Sequence, residues 1–142
     1  MMVQKKRILV PLDGSECAEN ILPQVEKLAG DMKAGICLLR VAYAHAFPGV
    51  DATEAEVTVV REAEGYLQKI GERLKAKGFD VDTHVRYGED AEEILTHSNR
   101  SDIEVIAMST HGRSGVKRWL LGSVAEKVIR HAIKPIYLVR CT

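Results

Sequence analysis

Two hydrophobic periods alternate along this chain. Largely aliphatic runs at residues 7–12, 35–43 and 103–108, interrupted inside only by Arg40 and Glu104, lack regular polar alternation, the mark of strands buried on both faces. Residues 79–87 alternate apolar and polar, which predicts a half-exposed strand near a sheet edge, and residues 135–139 form a last short run. Between these runs the apolar residues recur at three- and four-residue steps. Ala18, Ile21, Leu22, Val25, Leu28 and Ala29 predict a helix over 15–32, capped by Ser15 or Asp13. Val57, Val60, Ala63, Leu67, Ile70 and Leu74 predict the longest helix, over 53–77 and closed by Gly78. A short helix starts at Asp90 and carries Ala91, Ile94 and Leu95, and a last one covers 123–132. Pro23 falls inside the first helical pattern. An interior proline removes a ladder hydrogen bond and costs up to about 3 kcal/mol, so that helix is expected to kink or to break in its first half.

The resulting order is βαβαβαβαβ, without repeats, low-complexity segments or linkers. It predicts one α/β domain spanning 1–142: a Rossmann-like open sheet of five parallel strands with helices on both faces and right-handed crossovers. In such sheets ligands bind beyond the carboxyl ends of the strands, where the strand order reverses. For the order 3-2-1-4-5 the crevice lies between the first and fourth strands. Three tips are then candidates: residues 11–15, residues 41–45, and the stretch after the fourth strand that begins Ser109-Thr-His-Gly112.

Composition narrows the partners. The chain has 142 residues, 46% hydrophobic, with 20 basic and 20 acidic side chains. Zero formal net charge gives no general attraction to nucleic acid or to an anionic membrane, so an anion site must be local. Nothing approaches the roughly 20 apolar residues of a spanning helix. Cys17, Cys37 and Cys141 have no CxxC or zinc-type spacing and leave one cysteine over in any pairing; a reducing cytoplasm is the simplest expectation. His45, His84, His97 and His131 show no ligand spacing either.

The fourth-strand tip carries the strongest chemistry. Glycines, small residues and the bases Arg113, Lys117 and Arg118 lead into a helix at Gly122-Ser123, where backbone N–H groups and the positive dipole end can meet an anion. Established nucleotide loops do not match: there is no GxxxxGK[ST], no GxGxxG after a strand, and no acid closing the second strand. A receiver-type phosphorylation site lacks its aspartates, and the Asp13-Gly-Ser turn lacks the second aspartate of a phosphohydrolase loop.

The chain does resemble the universal stress protein family between Ile8 and Arg140. The C-terminal block is similar to the family pattern Gly-x2-Gly-x9-Gly-Ser/Thr, with Gly112 as the second glycine and Gly122-Ser123 at its end; Ser109 replaces the first glycine. The tips 10–15 and 39–41 match as well. The resemblance implies ATP as ligand, with Mg²⁺ or Mn²⁺ as candidate companion ions. Pro11, Asp13 and Val41 would flank adenine and ribose, Gly112, Arg113, Gly122, Ser123 and Val124 would cradle the phosphates, and Leu12, Met108, Ser109 and His111 complete the expected binding residues. Were the position of Ser109 to require positive φ, a non-glycine would cost on the order of 1–2 kcal/mol, roughly tenfold in affinity.

Three functions remain open at this point: a cytoplasmic ATP-dependent regulatory module of the stress response, a slow ATPase or phosphotransferase using His111 or Asp13, and a nucleotide-free scaffold. The resemblance also implies a homodimer through residues 135–140. A plain helix cap at Gly122-Ser123, a solvated basic loop at 113–118, and Trp119 packed beneath that loop are the structural alternatives.

Overall fold

The computed structural model describes residues 5–43, 49, 51–110 and 121–141. The elements follow as β1 (Arg7–Pro11), α1 (Glu16–Glu19), α2 (Leu22–Met32), β2 (Gly35–Ala42), α3 (Ala52–Ala76), β3 (Val81–Tyr87), α4 (Asp90–Ser98), β4 (Ile103–Ser109), α5 (Ser123–His131) and β5 (Ile136–Val139). They build one five-stranded parallel sheet in the order β3-β2-β1-β4-β5. This is the expected Rossmann-like order, and it puts the reversal between β1 and β4.

Strand periodicity divides the core into two. Ile8, Val10, Ile36, Leu38, Val105 and Ala107 point to one face, where α1, α2 and α3 cover them with Ala18, Ile21, Val25, Leu67, Ile70 and Leu74. Their neighbours Leu9, Cys37, Leu39, Ile106 and Met108 point to the other face, under Ala91 and Ile94 of α4 and Ala125 and Val128 of α5. A strand buried on both sides cannot alternate polar and apolar, which is why the runs at 7–12, 35–43 and 103–108 lack that alternation, with Arg40 and Glu104 as isolated exceptions.

Pro23 does break its helix. Ser15 caps α1 by accepting the Ala18 N–H at 3.1 Å, α1 ends at Glu19, and α2 starts again at Leu22. Pro23 is then the second residue of a new helix, where a missing N–H removes no intrahelical bond. The buried part of the α3 stripe runs from Ala63 onward, and Val57 is 45% exposed.

Cys17 of α1 and Cys141, just after β5, form a disulfide with their Cα atoms 5.4 Å apart, and Cys37 stays free and buried. The disulfide takes away the support that cysteine usage lent to a reducing compartment. Among the described residues no helix is long and apolar enough to cross a membrane.

On the α4 face a polar cluster interrupts the core. His97 is 4% exposed; burial, and after it the charges of His84, Arg100 and Arg86, push its imidazole down to about 4, so it is neutral at ordinary pH. Burial alone would raise Asp82, but the His84 hydrogen bond and the charges of Arg7, His84 and Arg100 outweigh it and hold the carboxyl below its usual range.

Candidate functional site

A cleft of about 250 Å³ opens where the sheet order reverses. Its floor comes from the carboxyl ends of the strands: Pro11, Leu12 and Asp13 after β1, Leu39 and Val41 on β2, and Met108, Ser109 and Thr110 at the end of β4. Ala18 of α1 and Ile94 of α4 close its sides, and Gly122, Ser123, Val124 and Ala125 form the opposite wall. The cleft is therefore mostly apolar, with a helix start at one end, which suits a flat apolar ring joined to an anionic group.

The turn after β1 is built on Asp13. Its Oδ1 accepts both the Ser15 N–H at 2.9 Å and the Ser15 hydroxyl at 2.5 Å. Gly14 between them has φ +86°, and a Cβ there would lie 2.6 Å from Nη1 of Arg40. The Arg40 guanidinium lies over the Tyr66 ring, 4.8 Å from its centroid. Burial first, then the Glu19 charge, pushes the Tyr66 hydroxyl up.

The other wall is anchored through Thr110. Its carbonyl accepts the Gly122 N–H at 2.7 Å, its own N–H donates to Val139 at 3.0 Å, and its hydroxyl accepts the Cys141 N–H at 3.2 Å. Residue 110 and residue 122 are thereby pinned to each other and to the end of β5. Gly122 is the N-cap of α5 with an ordinary φ of −63°, and no side chain caps the helix. The first N–H groups of α5 are therefore not taken by a side-chain cap. Lys127 of α5 reaches Glu89 at 3.5 Å, tying α5 to α4 across the cleft rim.

Of the residues expected at the site, Pro11, Leu12, Asp13, Val41, Met108, Ser109, Gly122, Ser123 and Val124 all line this cleft. His111, Gly112 and Arg113 lie outside the described residues, as do His45, Lys117, Arg118 and Trp119. Ser109 closes β4, paired with Val139, and Lys33 is the one described non-glycine residue with positive φ. Serine at position 109 thus has an ordinary backbone conformation, and the penalty considered for it does not arise. Sequence reasoning missed Ala18, Asp90, Ile94 and Ala125, while Leu39 and Thr110 fell inside strand tips it had singled out without being named as site residues. Asp90 and Ile94, one turn apart on α4, had a signal in their helical spacing, but only the sheet order puts that helix beside β1 and β4.

Residues 5–140 match the family model for the universal stress protein family. The chain belongs to that family. Universal stress protein MJ0577 of Methanocaldococcus jannaschii is 30% identical over 158 residues, covering 99% of this chain and 98% of the relative. Universal stress protein YxiE of Bacillus subtilis is 28% identical, covering 94% and 98%. The solved structure of MJ0577 superposes on this universal stress protein with a TM-score of 0.82 at 32% identity, over 99% of both chains. UspA from Lactobacillus plantarum gives the same TM-score at 21% identity, covering 98% of this chain and all of its own.

Proposed function

We propose that this universal stress protein binds ATP in the cleft between β1 and β4 and serves as a nucleotide-dependent regulatory module, assembled as a homodimer in the cytoplasm. The observation that carries the reading is the junction, in one cleft, of an apolar slot and a helix start without a side-chain cap. Adenine would lie against Leu39, Val41 and Ile94, with Asp13 beside the ribose. The phosphates would meet the N–H groups and hydroxyl at the start of α5, completed by Gly112 and Arg113. Charge-assisted hydrogen bonds contribute about 1.5–3 kcal/mol each, so a few account for micromolar affinity. Among the described residues Asp13 and Asp90 are the carboxylates that border the cleft, and they are the side chains that would join the phosphates in holding a Mg²⁺ or Mn²⁺ ion. Proteins of the same fold have been solved with cAMP (TM-score 0.64, 20% identity) and, from Archaeoglobus fulgidus, with dAMP (TM-score 0.65, 16% identity). At such identity they support the fold's capacity for an adenine nucleotide and say nothing of individual residues here.

The test is calorimetric titration of nucleotide-stripped protein with ATP, with and without Mg²⁺. Saturable binding is expected, and Ser123→Glu, which sets a negative charge at the α5 start, should weaken it at least about tenfold by like-charge repulsion. No heat at millimolar ATP would end the nucleotide reading. Wild-type affinity in Ser123→Glu would remove α5 as the phosphate end.

A further inference from the structure

On the α4 face, one pleat repeat along β2 from the cleft residue Leu39, Cys37, His84 and His97 converge. Their ligand atoms all lie within 4.8 Å of one another, with Cys37 Sγ 3.5 Å from His97 Nε2. Asp82 joins them, its Oδ2 being 2.9 Å from His84 Nε2. The convergence is a product of the sheet: Cys37 and Asp82 are register partners on β2 and β3, His84 follows two residues later on the same face, and His97 comes from α4 above them. In a tetrahedral zinc site, metal–nitrogen bonds near 2.0 Å and metal–sulfur bonds near 2.3 Å set neighbouring ligand atoms roughly 3.3–3.7 Å apart. The Cys37–His97 separation already has that value.

Hydrogen bonding in the cluster is over-determined. Nη1 of Arg100 lies 2.9 Å from His84 Nε2 and 3.2 Å from His97 Nε2. His84 Nε2 therefore faces a pure donor, Arg100, and a pure acceptor, Asp82, at equal distance. With a proton it satisfies Asp82 and opposes Arg100; without one it satisfies Arg100 and opposes Asp82. No protonation state serves both neighbours. Asp82 Oδ1 and His97 Nδ1 are also buried without a hydrogen bond, although Arg7 Nη1 stands 3.6 Å from that carboxylate oxygen. The lone pairs of His84 Nε2 and His97 Nε2 face Nη1 of Arg100, and Cys37 Sγ beside His97 and Asp82 Oδ2 beside His84 bring further lone pairs to the same cluster.

We infer that Cys37, His84 and His97, with Asp82 as fourth ligand, form a site for a Zn²⁺-class divalent cation. A bare cation satisfies every one of those lone pairs at once, and the thiolate and imidazole donors select a borderline-soft ion over Mg²⁺ or Ca²⁺. Binding is redox-neutral: the Cys37 S–H bond breaks, the S–metal bond forms, and the proton leaves to solvent. The thiolate and the Asp82 carboxylate then balance the ion's two charges. His97 needs its Nε2 lone pair to accept from Arg100 and to ligate the ion alike, so its tautomer does not change. Arg100 must turn away; its side chain is 34% exposed, and Asp102 holds its other edge at 2.6 and 3.0 Å. Arg100 is thus the ion's competitor, and His84, 36% exposed, marks the way in.

The experiment uses full-length chelator-treated protein with Cys17→Ser and Cys141→Ser, which leaves Cys37 as the sole thiol, titrated with Co²⁺ and followed by absorption. The expected result is one equivalent bound, with a thiolate-to-cobalt charge-transfer band and visible bands of tetrahedral intensity, all displaced by Zn²⁺. Arg100→Gln should tighten binding about tenfold, and His84→Ala should weaken it by about tenfold or more. Absence of the charge-transfer band, a band that persists in Cys37→Ser, or affinity that fails to rise in folded Arg100→Gln would each overturn the site. These outcomes do not depend on whether ATP binds in the cleft.

Discussion

At the scale of single residues, backbone conformation decides which substitutions matter around the cleft. Ser109 stands where the family pattern has glycine, yet it closes a regular strand. Ser109→Gly should therefore change ATP affinity by less than about threefold, because there is no positive φ to relieve. A tenfold gain on calorimetric titration would show that the serine side chain obstructs the phosphates. Gly14 is the opposite case, with φ +86° and Arg40 in the space a Cβ would need. Gly14→Ala should cost roughly 1–2 kcal/mol from the left-handed conformation alone, read as a lower urea midpoint, and more if Arg40 is driven off the Tyr66 ring. Neither difference can be read from the letters, because the cost of a serine for glycine, like the need for a glycine in a short turn, depends on a φ that the sequence does not print.

At the scale of elements, α1 and α2 show how far local rules reach. Ser15 was a visible cap and Pro23 a visible break, and both follow from groups within four residues of themselves. Because Pro23 sits in the first turn of α2, Pro23→Ala should not stabilise the protein. Alanine restores no missing hydrogen bond and frees the unfolded chain, so a loss of about 0.4–1 kcal/mol is expected in urea denaturation; a gain of several kcal/mol would mean that the proline strains a continuous helix. The α3 stripe was legible in period but not in extent. Val57 fits the helical spacing as well as Leu67 does, yet Val57 is 45% exposed and Leu67 fully buried, and burial along a helix is a tertiary quantity. The polar cluster was invisible for a related reason. Cys37, His84 and His97 lie on three different elements, so no spacing within one helix or loop could announce them, whereas the cleft residues sit at strand tips whose positions the βα alternation fixes.

At the scale of the whole molecule, the sheet order that creates the cleft also creates an exposed edge at β5, and that edge carries the homodimer expectation. Tyr137 and Leu138 of β5 are 39% and 38% exposed, and the preceding turn and α5 add Ile133 at 84% and Ile129 at 40%. Apolar edge strands left open invite pairing with another chain, and an isologous contact is the simplest closed solution for two copies. Cys141 lies just beyond this edge but is tied inward to Cys17, so the association proposed is non-covalent. Oxidised, denatured protein should accordingly show one titratable thiol, Cys37, and three after reduction. Sedimentation of the native protein should give a dimer, and a Tyr137→Lys, Leu138→Lys double variant should sediment as a monomer, because charges on an edge oppose strand pairing. Since neither residue lines the cleft, ATP affinity should be retained in that variant. A native protein that sediments as a monomer, or a double variant that stays dimeric, would show that β5 is not the contact. Affinity lost together with the dimer would show instead that the nucleotide site needs the second copy.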